Sequence, residues 1–427
     1  MEAGLDRLGG MTDPNAAPGP AEPAKTLILG PIVTDHGLVE DGLLAVEGDR
    51  IVYSGRADHF DEPGFTSADL DPANLITLPA GHRVIPGLVD IHNHGGNGGD
   101  FPSGDEASAR TAVEFLHRAG TTTLLASMVT ASAEDLLKGI GVYAKMTGEG
   151  LLAGIHLEGP FLSHARCGAQ NPAFLLDPDL VLAAALIEAG QGAIATMTYA
   201  PELPGAAELV DLLTAHGVTP SVGHTDCDSA TAAESLAQAR DGLDSTGFDG
   251  VSGRPTVTHL FNGMPPMHHR SPGPVAACLR AAKAGHAAVE LVADNTHLDP
   301  ETVKTVFSLV GAANIALVTD SMAAAGLADG QYMLGPSPVT VAGGVATLDA
   351  TGSIAGGTAT LLDVVRRTVG AGVKFTDALL SATVVPAEVL GLTDELGSLR
   401  RGLRADALIV ADGLELQRVM RAGEWLN

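Results

Sequence analysis

The stretch VIPGLVDIHNHGGNG, Val84–Gly98, decides how this chain is read. It begins as an apolar run and ends in His92-Asn93-His94, followed by glycines. An apolar run without polar alternation fits a strand buried on both faces, as in a parallel sheet covered by helices. Positions i and i+2 of a strand point to the same side, so His92 and His94 can share one metal ion. Asp90, just before them, is placed to hydrogen-bond a ligand.

Seven similar runs follow, each trailed by an Ala-rich helical stretch: 121–127, 152–158, 193–199, 219–224, 256–260, 289–294 and 315–320. With 84–91 that makes eight. Asp90 to Asp320 spans seven intervals of about 33 residues, the length a parallel βα unit needs. The pattern predicts a (β/α)8 TIM-like barrel. The rival, a doubly wound sheet, would want a Gly-rich phosphate turn after its first strand, and neither GxGxxG nor GxxxxGK[ST] occurs.

Strand-like patterns at both ends, TLILGPIVT with GLLAVEGDRIVYSG and later GLRADALIVADGLELQRVMRAGEW, predict a small β-sandwich domain built from both chain ends. The expected division is a disordered leader over 1–25, the small domain over 26–84 plus 391–427, and the barrel over 85–390. The leader holds Pro14, Pro18, Pro20 and Pro23 and has no apolar h-region, so it does not read as a secretory signal. Met11 is a possible alternative start.

The strand ends deliver Asp90, His92, His94, Glu158, His224, His259, Asp294 with His297, and Asp320. In a parallel barrel these ends gather at the face where active sites lie. Imidazoles and carboxylates suit Zn, Fe, Co or Mn. Six ligands, His92, His94, Glu158, His224, His259 and Asp320, suffice for two ions, with Glu158 as the bridge. Asp320 is the expected acid/base, taking a proton from water and passing it to a leaving amine. His156 lies two residues before Glu158 on the same side, a candidate for a role beside the site. His82, His117, His216 and His286 lie away from the strand ends and read as structural.

Composition bounds the partners. Lys plus Arg is 24 and Asp plus Glu is 51, so the net charge is 24 − 51 = −27. That disfavours nucleic acid and anionic membrane surfaces. No apolar run is long enough to span a bilayer. Three cysteines without a CxxC pair point to a reducing, cytoplasmic setting.

The motifs resemble the amidohydrolase superfamily. HLEGPF (156–161), THLFNGM (258–264) and VTDSMAAAG (318–326) look like the N-acetylglucosamine-6-phosphate deacetylase family within it. The resemblance runs from about Thr26 onward. It implies deacetylation of N-acetyl-D-glucosamine 6-phosphate to D-glucosamine 6-phosphate and acetate. It also implies metal binding by Glu158, His224 and His259, and a second ion through His92 and His94. Asp320 matches the acid/base, Asn262 and Gly263 the backbone at the sugar phosphate, and His297 a sugar-hydroxyl or phosphate contact. Ile354, Ala355 and Gly356 match a loop near the sugar ring. Arg270 matches an arginine that reaches the phosphate across a homodimer interface. Two positions depart from the family: Gln170 in CGAQNP, where His is frequent, and Asn295 in ADNTH, where Gly is more usual. Gln170 can still donate a hydrogen bond, and Asn295 can adopt the left-handed conformation.

Three alternatives carry other expectations. Deacetylation of another N-acetyl amino sugar phosphate, such as the galactosamine analogue, keeps every residue above. A deaminase or cyclic amidase keeps the fold, but the fourth run, AIATMTYA, lacks the Lys that hydantoinase-like members carboxylate. A non-catalytic barrel would be expected to have lost ligands that are all present here.

Overall fold

The computed structural model describes residues 24–66, 68–71, 75–246 and 253–426. The leader expected over 1–25 lies outside them, except that Ala24 is described and Lys25 already opens a strand.

The central feature is an eight-stranded sheet in sequence order, parallel throughout. Its strands are Leu88–Asp90, Thr121–Val129, Gly154–Glu158, Ile194–Tyr199, Thr219–Val222, Thr256–Val257, Ala288–Leu291 and Ile315–Leu317. Nearly every strand residue is buried, as unalternating apolar runs require. The first and eighth strands meet just beyond their paired residues. There Asp320 N donates to His92 O at 2.9 Å and His94 N to Ser321 O at 2.6 Å.

A helix follows each strand on the outside, with boundaries set by caps. Asp105, Ser132, Asp179 and Asp299 accept from the first turns of Glu106–Arg118, Ala133–Gly148, Leu180–Gly190 and Pro300–Val310. Helix Leu361–Gly370 opens with a reciprocal Thr360–Asp363 capping box and buries Leu361, Leu362, Val364, Val365 and Thr368, one 3.6-period face.

The small domain is two packed sheets. One joins Lys25–Leu29, Gly42–Glu47, Arg50–Arg56 and Leu75–Thr77. The other joins Ile32–Thr34, Gly37–Val39 and Arg83–Pro86 with Ala407–Ala411, Glu415–Arg421 and Glu424–Trp425 from the far end of the sequence. Ile28, Ile32, Leu44, Ile51, Val84, Ala407 and Met420 fill the space between.

Two expectations change. The run 84–91 is two strands rather than one barrel strand. Arg83–Pro86 pairs antiparallel with Ala407–Ala411 in the small domain, and only Leu88–Asp90 joins the barrel. Gly87 makes the crossing, because a Cβ there would lie 2.2 Å from Thr122 Oγ1 and 2.9 Å from Asp406 Cβ. Second, Gly330–Leu334, Ser337–Ala342 and Val345–Leu348 form an unforeseen three-stranded antiparallel sheet over the barrel mouth.

Candidate metal centre

At the C-terminal mouth six buried side chains form two triads, His92, His94 and Asp320, and Glu158, His224 and His259. Within each triad the ligand atoms lie within 4.8 Å of one another. Glu158 faces both. Its Oε1 is 2.9 Å from His224 Nε2 and 3.0 Å from His259 Nε2. Its Oε2 is 3.2 Å from His94 Nε2 and 3.8 Å from His92 Nε2. Asp320 Oδ1 stands 3.1 Å from His94 Nε2 and 3.4 Å from His92 Nε2.

The far sides of the rings settle which nitrogen faces inward. His94 Nδ1 meets the Ser127 carbonyl at 3.0 Å, and His224 Nδ1 meets the Arg166 carbonyl at 2.8 Å. A carbonyl only accepts, so Nδ1 carries the hydrogen and a neutral ring aims its Nε2 lone pair at the centre. His92 Nδ1 likewise donates to Glu290 Oε2 at 2.9 Å. Yet His92 and His94 Nε2 are 3.2 Å apart, as are those of His224 and His259. Lone pairs converging with carboxylate oxygens are the donor set of a first-row divalent ion, so these residues fit a metal.

The electrostatics agree. Burial opposes charge on His94, but Asp320 and Glu158 outweigh it and raise the ring to about 9. His92 is also raised against its burial, by Asp320, Glu158 and Glu290. Burial works against Glu158 and Asp320 too, and the surrounding histidines still hold both below the usual carboxylate range. A field that favours imidazolium favours a cation among the same side chains.

Three of the six sit on turns just past the strands, with φ of +46° at His224, +28° at His259 and +47° at Asp320. Such strain persists where surrounding structure over-determines it, characteristically at functional sites. Gly263 (φ +62°) lies so close that a Cβ would be 3.0 Å from His224 Nδ1. Asn295 does adopt the left-handed conformation, at φ +63°.

A buried polar chain lies beneath the two triads inside the barrel. Ser127 Oγ accepts from Asn93 N at 3.0 Å and meets His156 Nδ1 at 3.0 Å. His156 Nε2 meets Thr198 Oγ1, which meets Thr258 Oγ1, both at 2.8 Å. Burial, then the charge of His92, pushes His156 well below the ordinary imidazole value. It sits beneath the site, away from the mouth, bridging Ser127 and Thr198. Asp90 accepts from His92 N at 3.2 Å and Thr319 Oγ1 at 2.6 Å, with burial raising it to about 7.

The cavity above is lined by Gln170, Asn262, Gly263, His297, Asp320 and the Ile354–Gly356 loop, among others. Gln170 Nε2 donates to Glu158 Oε2 at 2.7 Å while its Oε1 accepts from Thr130 N at 2.7 Å. Asp294 Oδ2 holds His297 Nδ1 at 2.9 Å, leaving His297 Nε2 3.6 Å from Asp320 Oδ2. Arg270 is not brought to its own chain's cavity. It lies exposed beside His268 and His269 in a loop closed by a His268–Ser271 bridge. Cys167 is partly exposed in the loop that carries Gln170. His117, read as structural, is buried in helix Glu106–Arg118 and belongs to neither triad.

The sequence reading overlooked Glu290. It is 2% exposed, and its Oε2 accepts from both His92 Nδ1 and His259 N. The available signal was a carboxylate inside AVEL, a run otherwise apolar and buried on both faces.

Comparison with known proteins places these residues in context. The model of the "Amidohydrolase family" matches residues 83–426. An N-acetylglucosamine-6-phosphate deacetylase of Bacillus subtilis is 31% identical over 90% of this chain and 92% of its own. An N-acetylgalactosamine-6-phosphate deacetylase of Escherichia coli O157:H7 is 32% identical over 80% of this chain and 87% of its own. A mutant N-acetyl-D-glucosamine-6-phosphate deacetylase from Mycobacterium smegmatis, solved in complex with N-acetyl-D-glucosamine-6-phosphate, is 36% identical. It covers 94% of this chain and 99% of its own, with a TM-score of 0.82.

Proposed function

The chain belongs to the amidohydrolase family, and from that premise we propose that it hydrolyses N-acetyl-D-glucosamine 6-phosphate to D-glucosamine 6-phosphate and acetate. One observation carries the reading. Glu158 faces both histidine pairs, with Asp320 beside them, in a cavity bounded by Gln170, His297 and the 354–356 loop.

Two divalent ions, of zinc, iron, cobalt or manganese, would be held by His92, His94 and Asp320 and by Glu158, His224 and His259. When bound they supply Lewis acidity to water and to the acetamide carbonyl. The chain's own groups move the protons. Asp320 takes the proton of the attacking water and returns it to the amine nitrogen as the C–N bond breaks, releasing acetate. Asp294 fixes His297 so that Nε2 points to Asp320 and the sugar. The Gln170 amide is in place to orient Glu158 and the acyl group. Asn262 and Gly263 offer backbone to the phosphate side, and Ile354, Ala355 and Gly356 wall the ring.

In the same reading Arg270, exposed on its own chain, reaches the phosphate of a neighbouring site in a homodimer. The domain division into 26–84 with 391–427, and 85–390, belongs to this proposal, as does a cytoplasmic setting. Among the described residues no helix is long and apolar enough to cross a membrane.

The E. coli relative supports one second reading, deacetylation of the galactosamine epimer. Acetate release from both 6-phosphates and from both unphosphorylated sugars separates the two. The glucosamine phosphate is expected to give the highest kcat/KM, and the unphosphorylated sugars far lower values. A preference for the galactosamine phosphate replaces the first reading with the second. Equal rates with and without phosphate overturn both.

A further inference from the structure

We infer that Glu290 is a positioning residue that couples the two triads, so that loading of one ion depends on the same carboxylate as loading of the other. The inference rests on the two-ion reading above. One oxygen, Glu290 Oε2, accepts from His92 Nδ1 at 2.9 Å and from the His259 backbone N at 3.1 Å. His92 belongs to one triad and His259 to the other.

The two contacts act differently. At His92 the carboxylate takes the Nδ1 hydrogen, which leaves Nε2 as the inward donor and raises its basicity. At His259 it holds backbone. The His259 ring has no Nδ1 partner among the described residues, so its placement depends on its main chain, which stands at φ +28°. Glu290 grips that turn twice, since its own carbonyl also accepts from Leu260 N at 2.9 Å. His94 and His224 are pinned by carbonyls of other segments, and no other described side chain bonds members of both triads from outside the mouth.

Wild type, Glu290→Gln and Glu290→Leu, each stripped of metal by a chelator, are titrated with Zn2+ against a chromogenic competitor, and Co2+ absorption spectra are recorded. Circular dichroism and apoprotein melting midpoints report the fold. Wild type is expected to take two ions per chain. Glu290→Leu should bind both about 10–100-fold more weakly, with altered Co2+ bands, at an unchanged apoprotein midpoint. Glu290→Gln keeps one accepting oxygen and should fall between. Wild-type affinities in Glu290→Leu would overturn the role of Glu290 alone. A loss confined to one ion would overturn the coupling, and weaker binding matched by a collapsed apoprotein midpoint would make the residue merely structural. A wild type that takes a single ion would instead overturn the two-ion reading, and the coupling with it.

Discussion

Asp320 and His92 are joined twice. The Asp320 amide donates to the His92 carbonyl at 2.9 Å, and the Asp320 carboxylate stands 3.4 Å from His92 Nε2. The hydrogen bond that seals the barrel between its first and last strands therefore also sets the proposed acid/base against a proposed ligand. Asp320→Asn preserves that backbone bond and the side-chain volume while removing the proton acceptor. Its kcat should fall by about 10²–10⁴-fold, while Glu158, His224 and His259 keep their ion. Acetate release with metal analysis of the same sample checks this, and near-normal turnover would remove Asp320 from the mechanism.

Gln170 offers a second test. Its amide satisfies Glu158 Oε2 and Thr130 N together, both at 2.7 Å. Gln170→Leu leaves a buried acceptor and a buried donor without this partner, at a cost of about 1–3 kcal/mol. Thermal denaturation should show the loss, and kcat should drop as Glu158 is freed to turn. A variant as stable and active as wild type would show the bridge to be dispensable.

Gly263→Ala should weaken the centre from the other side. The new Cβ would sit 3.0 Å from His224 Nδ1 at a φ of +62°. A left-handed residue with a Cβ costs about 1–2 kcal/mol, and His224 must shift from the Arg166 carbonyl. Zn2+ affinity is expected to fall, measured by competition with a chelator; unchanged affinity would mean that the loop absorbs the methyl group.

His117 gives a test of how burial couples to acid stability. It is 6% exposed, its Nε2 has no partner among the described residues, and burial, then Arg421 and Arg404, push it down to about 3. The folded value lies below the unfolded one, so its contribution is complete above about pH 6.5 and is lost progressively as pH falls toward 3. Between pH 7 and pH 5 wild type should therefore lose about 2 kcal/mol relative to His117→Leu, which cannot titrate. Chemical denaturation of both proteins at the two pH values measures the difference. Parallel losses would place His117 in contact with water.

The barrel strands were legible as unalternating apolar runs, and the six residues of the two triads because the runs that carry them end in a His or carboxylate that cannot remain buried without a partner. Glu158, His224 and Asp320 announce themselves in this way. What was not legible depends on pairing rather than composition. Val84 to Ile91 is equally apolar on both sides of Gly87, and nothing in it shows that its neighbour changes from Ala407–Ala411 to Thr121–Val129. The 330–348 sheet has turn residues and alternation but no unit length of its own. Glu290 reads as a blemish in an apolar strand until two histidines from different strands are found on one of its oxygens.

The handover at Gly87 also bears on how the protein matures. Arg83–Pro86 pairs with Ala407–Ala411, Gly87 N donates to Asp406 O at 3.0 Å, and His92 follows within a few residues. During synthesis the splint for that segment emerges only after the whole barrel sequence. A ribosome-bound chain can pair the inner strands early, but it lacks the brace for the segment leading into His92 and His94 until residue 411 is free. In the two-ion reading, the triad of His92, His94 and Asp320 is braced only once the C-terminal strand has paired, so the sandwich is its clasp.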